Sequence, residues 1–193
     1  VKNLEKETQY YYQVFKNGEW QKVESVKTGN PDSFSFLYVG APQIGACKNQ
    51  ISSENEKMKN EIAARNDAFN WNKTLNNAIT AHPEVSFMLS AGDQVNYADR
   101  EYEYAGYLNA SALASLPVST TIGNHDSGSY QYSYHFNTPN SFDLDDTTYA
   151  LGHTNAGTDY YYTYGDALFI VIDTNNYNCA THRNVIEKAV NEN

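Results

Sequence analysis

The chain has 193 residues, a formal net charge of −10 and 40% hydrophobic residues, enough for one large domain with a real core. Its 13 lysines and arginines are outnumbered by 23 aspartates and glutamates, so nucleic acid, itself a polyanion, is not an expected partner. The acidity leaves small phosphate-bearing substrates open, because a bound metal reverses the local field. The 17 tyrosines and the shortage of lysine suit an extracellular or cell-surface protein with β-structure. The longest apolar run, ALFIVI at 167–172, falls far short of the ~20 residues needed to cross a bilayer, so no membrane span is expected.

Residues 1–28 predict a β-hairpin: the alternating aromatics of QYYYQVF, a tight KNG turn, and EWQKVESVKTG returning. Two strands alone are marginal in water, so this piece needs a surface to lean on. Asn30, Pro31 and Asp32 break the pattern, dividing the chain into 1–30 and 31–193. SFSFLYVG (33–40) then reads as a strand, and the charged stretch 48–66 as a solvated helix or loop on the rim. Residues 67–82 have helical spacing, 84–92 form a buried strand, 101–113 a helix and 118–123 a third strand. An aromatic strand and a very apolar one follow as a hairpin over 160–174, and a helix begins at His182. Strands alternating with helices predict a layered α/β fold.

Three of these strands run from apolar residues into glycine and then into a polar cluster: VGAPQIG, SAGDQVN and TIGNHD. In open α/β sheets ligands gather at the carboxyl ends of strands, so the three loops are expected to converge. Taken singly, each is ordinary turn chemistry.

Taken together, the loop after the first strand, GDQVN and GNHD resemble the first half of the motif set of the calcineurin-like metallophosphoesterases. The similarity runs through LSAGDQVN, LPVSTTIGNHD and DYYYTYGDALFIVIDTNN, and is nearest to a bacterial, secreted branch related to purple acid phosphatases. The resemblance implies a metallophosphoesterase-type β-sandwich flanked by helices. Residues 1–30 would be the last strands of a preceding fibronectin type III-like domain. It implies two metal ions (Fe, Mn, Zn or Ca) about 3.5–4 Å apart that clamp a phosphoester small molecule for attack by a metal-bound hydroxide. Asp93 would bridge the metals, Asn124 would ligate the second, and Gln43 would stand near the first. His125 would protonate the leaving oxygen, and Asn96 and Asn124 would face the phosphoryl group.

The departures matter as much. The family's first motif opens with an aspartate that ligates the first metal, and this chain has Ala41 there. The family's later histidines, one single and one in a GHxH motif, would lie beyond Asn193. The purple subgroup's tyrosine, three residues after the bridging aspartate, is replaced by Asn96, with Tyr97 one place late, so an iron–tyrosinate centre is not expected. Two functions stay open: a phosphoester hydrolase with an incomplete metal site, or an inactive module on the same scaffold that binds a host or cell-surface protein. Any signal peptide would lie upstream of Val1.

The remaining histidines read as structural: His82 closing a helix, His135 and His182 structural or solvent-facing, His153 in a loop. YYYTYG is a half-buried strand face. Cys47 and Cys179 fall in loops at the same end of the sheet, where a disulfide is geometrically possible.

Overall fold

The computed structural model describes residues 3–141, 154–157, 159–177 and 179–193. The N-terminal hairpin forms as expected. β1 (Gln9–Tyr12) pairs antiparallel with β4 (Glu24–Lys27), and β2 (Phe15–Lys16) with β3 (Glu19–Trp20). Asn17 and Gly18 take φ of 54° and 83°, the positive values a two-residue type I′ turn demands. The hairpin leans on the rest of the chain through Tyr12, whose hydroxyl donates to the Ala114 carbonyl at 2.7 Å. The leaning is partial, because Tyr11 and Trp20 remain 73% and 67% exposed.

The main sheet has three parallel strands in the order β5 (Phe36–Val39), β6 (Phe87–Ser90), β7 (Val118–Thr120). Its two crossovers carry α1 (Glu56–Ala81) and α2 (Glu101–Leu108). Strand alternation then assigns the faces. Leu37, Val39 and Met88 meet Trp71 and Leu75 of α1 and Tyr107 of α2. Phe36 and Phe87 point the other way, toward the antiparallel pair β8 (Tyr160–Tyr164) and β9 (Ala167–Val171). There Phe87 packs against Phe34, Phe36, Tyr164 and Phe169, with ring centroids 5.2 to 5.9 Å away. Burying a ring of that size stabilises the fold by about 1.5–3 kcal/mol. α3 (Gln131–His135), α4 (Cys179–Glu192) and the 3-10 turns Ala46–Gln50 and Ser111–Ala114 complete the described elements, and α4 buries Val185 and Ala189 against Tyr161. The fold is mixed α/β, as the alternation of strands and helices predicts.

Boundaries are corrected at three helices: the one expected over 101–113 ends at Leu108, with a separate 3-10 turn over Ser111–Ala114, and the one expected from His182 starts at Cys179. Residues 56–66, expected within a solvated helix or loop, form the first turns of α1, and Ala63 and Ala64 are buried. The missed start signal is Asn55, whose side chain accepts from Met58 N at 3.1 Å as an N-cap. His82 is the C-cap of α1. His135 stacks on Tyr104 and faces Glu101 at 2.9 Å, a structural role. Both cysteines are free. His153 lies outside the described residues. Among the described residues no helix is long and apolar enough to cross a membrane.

Candidate catalytic loops at the strand ends

The loops after β5, β6 and β7 leave the same end of the sheet, and the first two are tied to each other before any side chain is considered. Gln43 N donates to Asp93 O at 2.8 Å, Ile44 N to Gln94 O at 3.1 Å, and Asn96 N to Ile44 O at 3.0 Å. This pairing forces three non-glycine residues into the left-handed region: Ala41 (φ 44°), Gln43 (φ 41°) and Asp93 (φ 53°). Such residues cost about 1–3 kcal/mol each and persist only where the surroundings impose them; they cluster at functional sites. A Cβ on Gly123 would collide with the Asp93 carboxylate, so only glycine leaves room for that side chain.

Of the expected residues, Gln43, Asp93, Asn96 and His125 come together. Asp93 Oδ1 accepts from His125 N at 3.0 Å. His125 Nδ1 lies 2.8 Å from the Asn96 carbonyl oxygen, which can only accept, so Nδ1 carries the hydrogen. Its Nε2 is then the acceptor and takes a hydrogen bond from Gln43 Nε2 at 3.1 Å. The same Gln43 nitrogen donates to Asn96 Oδ1, also at 3.1 Å. Asn124 is exposed on the loop between Gly123 and His125, outside this network. Ala41 is exposed beside it, with its N–H on the Gly92 carbonyl.

Sequence reasoning missed the carboxylates that hold the loops in place. Asp126, quoted in GNHD but given no role, is fully buried and accepts from Gly123 N (2.9 Å), Gln94 N (3.0 Å) and Val95 N (3.3 Å). It therefore staples the β6 loop to the β7 loop. Burial pushes its carboxyl up to about 7, against the pull of those N–H groups. Glu103 of α2 accepts from Asn96 N and Tyr97 N at 2.9 and 2.8 Å. Burial foremost raises its pKa, while those two N–H groups and Arg100 pull it down. Asp67 of α1 accepts from Gly45 N and Cys47 N at 3.0 and 3.1 Å. The available signal was the spacing of acidic residues on α1 and α2, which reads as solvated charge until the loops are folded over it.

The donors do not fit a pair of metal ions. Ala41 brings a methyl group, and Gln43 turns its amide nitrogen, a donor, into the network. Asp67, Glu103 and Asp126 are spent on backbone N–H groups, leaving Asp93 as the carboxylate at the centre. Among the described residues no three His, Cys, Asp or Glu side chains are grouped to hold an ion. Displacing water from two dications takes several anionic or imidazole ligands.

A cavity of about 710 Å³ lies elsewhere among the described residues, opening at the N-terminal ends of β6 and β7, between Val26, Pro31, Phe87, Val118 and Tyr162.

A family model described as calcineurin-like phosphoesterase matches residues 58–190. No curated protein matches the chain in a sequence search.

Proposed function

The chain belongs to the calcineurin-like phosphoesterase family, and from that membership we propose that its 31–193 region is a phosphoester hydrolase domain with an incomplete metal site. The family's domain hydrolyses phosphoesters and generally binds divalent metals. The finer reading gives Asp93, Asn124 and Gln43 to a metal-facing edge, Asn96 and Asn124 to the phosphoryl group, and His125 to the leaving oxygen. Residues 1–30 are read as the end of a fibronectin-like domain. The observation that carries the proposal is the hydrogen-bonded convergence of Gln43, Asp93, Asn96 and His125 at the strand ends.

His125 supports its part by its tautomer. With Nδ1–H held by the Asn96 carbonyl, Nε2 is the atom free to hold or deliver a proton once Gln43 gives way. Ala41 supports the word incomplete. Its φ of 44° is a conformation aspartate adopts far more readily than alanine, so a carboxylate would seat there without new strain.

Metal content by elemental analysis and turnover of p-nitrophenyl phosphate test the proposal when measured on the same samples. The chain is expected to hold fewer than two metal equivalents and to turn over below ~1 per second, an ordinary enzyme rate. Ala41→Asp is expected to raise metal content. Should the variant bind no metal, the hydrolase reading fails and a binding module on the same scaffold replaces it.

A further inference from the structure

A second polar cluster sits where β8 begins and β9 ends. Asp159 and Asp173 are 0% and 2% exposed. Asp173 N donates to Asp159 Oδ1 at 2.7 Å. Asp159 Oδ2 lies 2.5 Å from Nδ1 of His182, in the first turn of α4, and His182 Nε2 lies 2.9 Å from the Asn176 carbonyl oxygen. The Asp173 carboxylate accepts from Thr154 Oγ1 at 3.0 Å and from Asn175 N and Nδ2 at 3.0 and 2.9 Å. Asn175 Nδ2 also donates to the Ile122 carbonyl at 3.2 Å. Ile122 is the residue before Gly123, Asn124 and His125, so the cluster is wired to the candidate catalytic loop.

The protons can be counted from this geometry. A carbonyl oxygen only accepts, so His182 Nε2 bears a hydrogen. A carboxylate oxygen 2.5 Å from the other ring nitrogen requires a second hydrogen between them, and the imidazole nitrogen, the more basic partner, carries it. Removing it would set a nitrogen lone pair against a carboxylate where little water reaches.

We propose that the proton shared by His182 and Asp159 is a latch that positions the catalytic loop: while it is held, the 173–176 turn and the start of α4 are fixed and Asn175 pins Ile122, and when rising pH removes it the turn lets go. The titratable groups facing His182 among the described residues are Asp159, ahead of β8, and Asp173, after β9. On α4 itself, Arg183 is turned to Glu187 at 2.7 Å. Burial lowers the pKa of His182, but the Asp159 hydrogen bond, the Asn176 carbonyl and the charges of Asp159 and Asp173 together raise it above the ordinary histidine value. Burial raises Asp159 as well. The latch is therefore closed below the ordinary histidine pKa and opens as pH rises through the raised one. It uses no phosphoester chemistry, so its failure and that of the hydrolase reading are distinguishable.

Side-chain nitrogen NMR of the histidines, with backbone amide spectra, tests the latch between about pH 5.5 and about pH 9. Both ring nitrogens of His182 are expected to be protonated at the acid end, with the Ile122, Gly123 and Asn175 amides shifting at the same midpoint as the ring. Asp159→Asn supplies a permanent donor to a neutral His182, so those amides should cease to follow pH. In Asn175→Ala, His182 should still titrate while Ile122 and Gly123 no longer track it. A His182 ring with a single hydrogen at the acid end overturns the proposal. So do wild-type Ile122 and Gly123 amides that stay still while His182 titrates, a result that needs no variant to fold.

Discussion

At the C-terminal ends of β5, β6 and β7, carboxylates accept backbone N–H groups and three non-glycine residues are held at positive φ. At the N-terminal ends of β6 and β7, a cavity of about 710 Å³ is walled by residues that include Val26, Pro31, Phe87, Val118 and Tyr162. One end has volume, with Glu5, Lys6, Ser119 and Tyr160 among the residues that line it. The other has three loops hydrogen-bonded around Gln43, Asp93, Asn96 and His125. Chemistry needs groups aimed at a common point, and local strain marks where the fold has been made to aim them. In this chain the residues proposed for the site gather where hydrogen bonds converge, and the cavity opens at the other end of the sheet.

If the two ends are built differently, they should break differently. Phe87→Ala removes a ring packed against four others and should cost about 3–5 kcal/mol in urea unfolding. The amide resonances of Gln94, Val95 and Gly123 should stay where they are; if they move as far as those lining the cavity, the ends are one packed unit and the contrast fails.

Asp126→Ala attacks the other end. It strands the N–H groups of Gln94, Val95 and Gly123, and at the lower end of the range for a buried N–H, about 1 kcal/mol each, we expect about 3 kcal/mol in all. Amide exchange should rise in the two loops before it rises in the cavity wall. A pH dependence sharpens the point. Burial holds the Asp126 carboxyl up at about 7, above the ordinary carboxylate value, so the folded chain keeps a proton the unfolded chain has lost. Stability from this group therefore falls as pH rises from about 4 to about 7, and Asp126→Asn should flatten that window in denaturation curves taken across it.

The sequence made some of this legible and hid the rest for definable reasons. The strands, the Asn17–Gly18 turn and the meeting of GDQVN with GNHD follow from period-two patterning and strand-end glycines, which are local signals. The positive φ of Ala41 was hidden, since nothing local asks alanine for it; the pairing of residues 41–44 with 92–94 imposes it. Glu103 and Asp67 were hidden for a related reason. A carboxylate on a helix looks solvated until a loop distant in sequence brings N–H groups to it. His182 read as structural or solvent-facing, and its contact with Asp159, 23 residues earlier, is likewise a product of topology.

The smallest effect we expect also tests how firmly the β5 loop is held. Cys47 sits in the turn that Asp67 anchors, with its thiol directed at the Ala63 carbonyl 3.7 Å away. Burial first, and then the neighbouring Asp67, push its pKa up to about 11. Near pH 8 roughly one such thiol in a thousand is ionised, against roughly one in four for an ordinary cysteine. The more basic thiolate is the better nucleophile, which recovers about tenfold, so alkylation by iodoacetamide should run ~20-fold slower than at an ordinary exposed thiol. Cys179, exposed at the start of α4, provides the comparison within the same molecule. Mass spectrometry of timed samples should show Cys179 modified well before Cys47. Asp67→Ala, which releases Gly45 N and Cys47 N, should bring the two rates together by unlocking the turn. If the intact chain labels both cysteines equally fast, the turn is not held by Asp67, and the ordered site end loses one of its three carboxylate anchors.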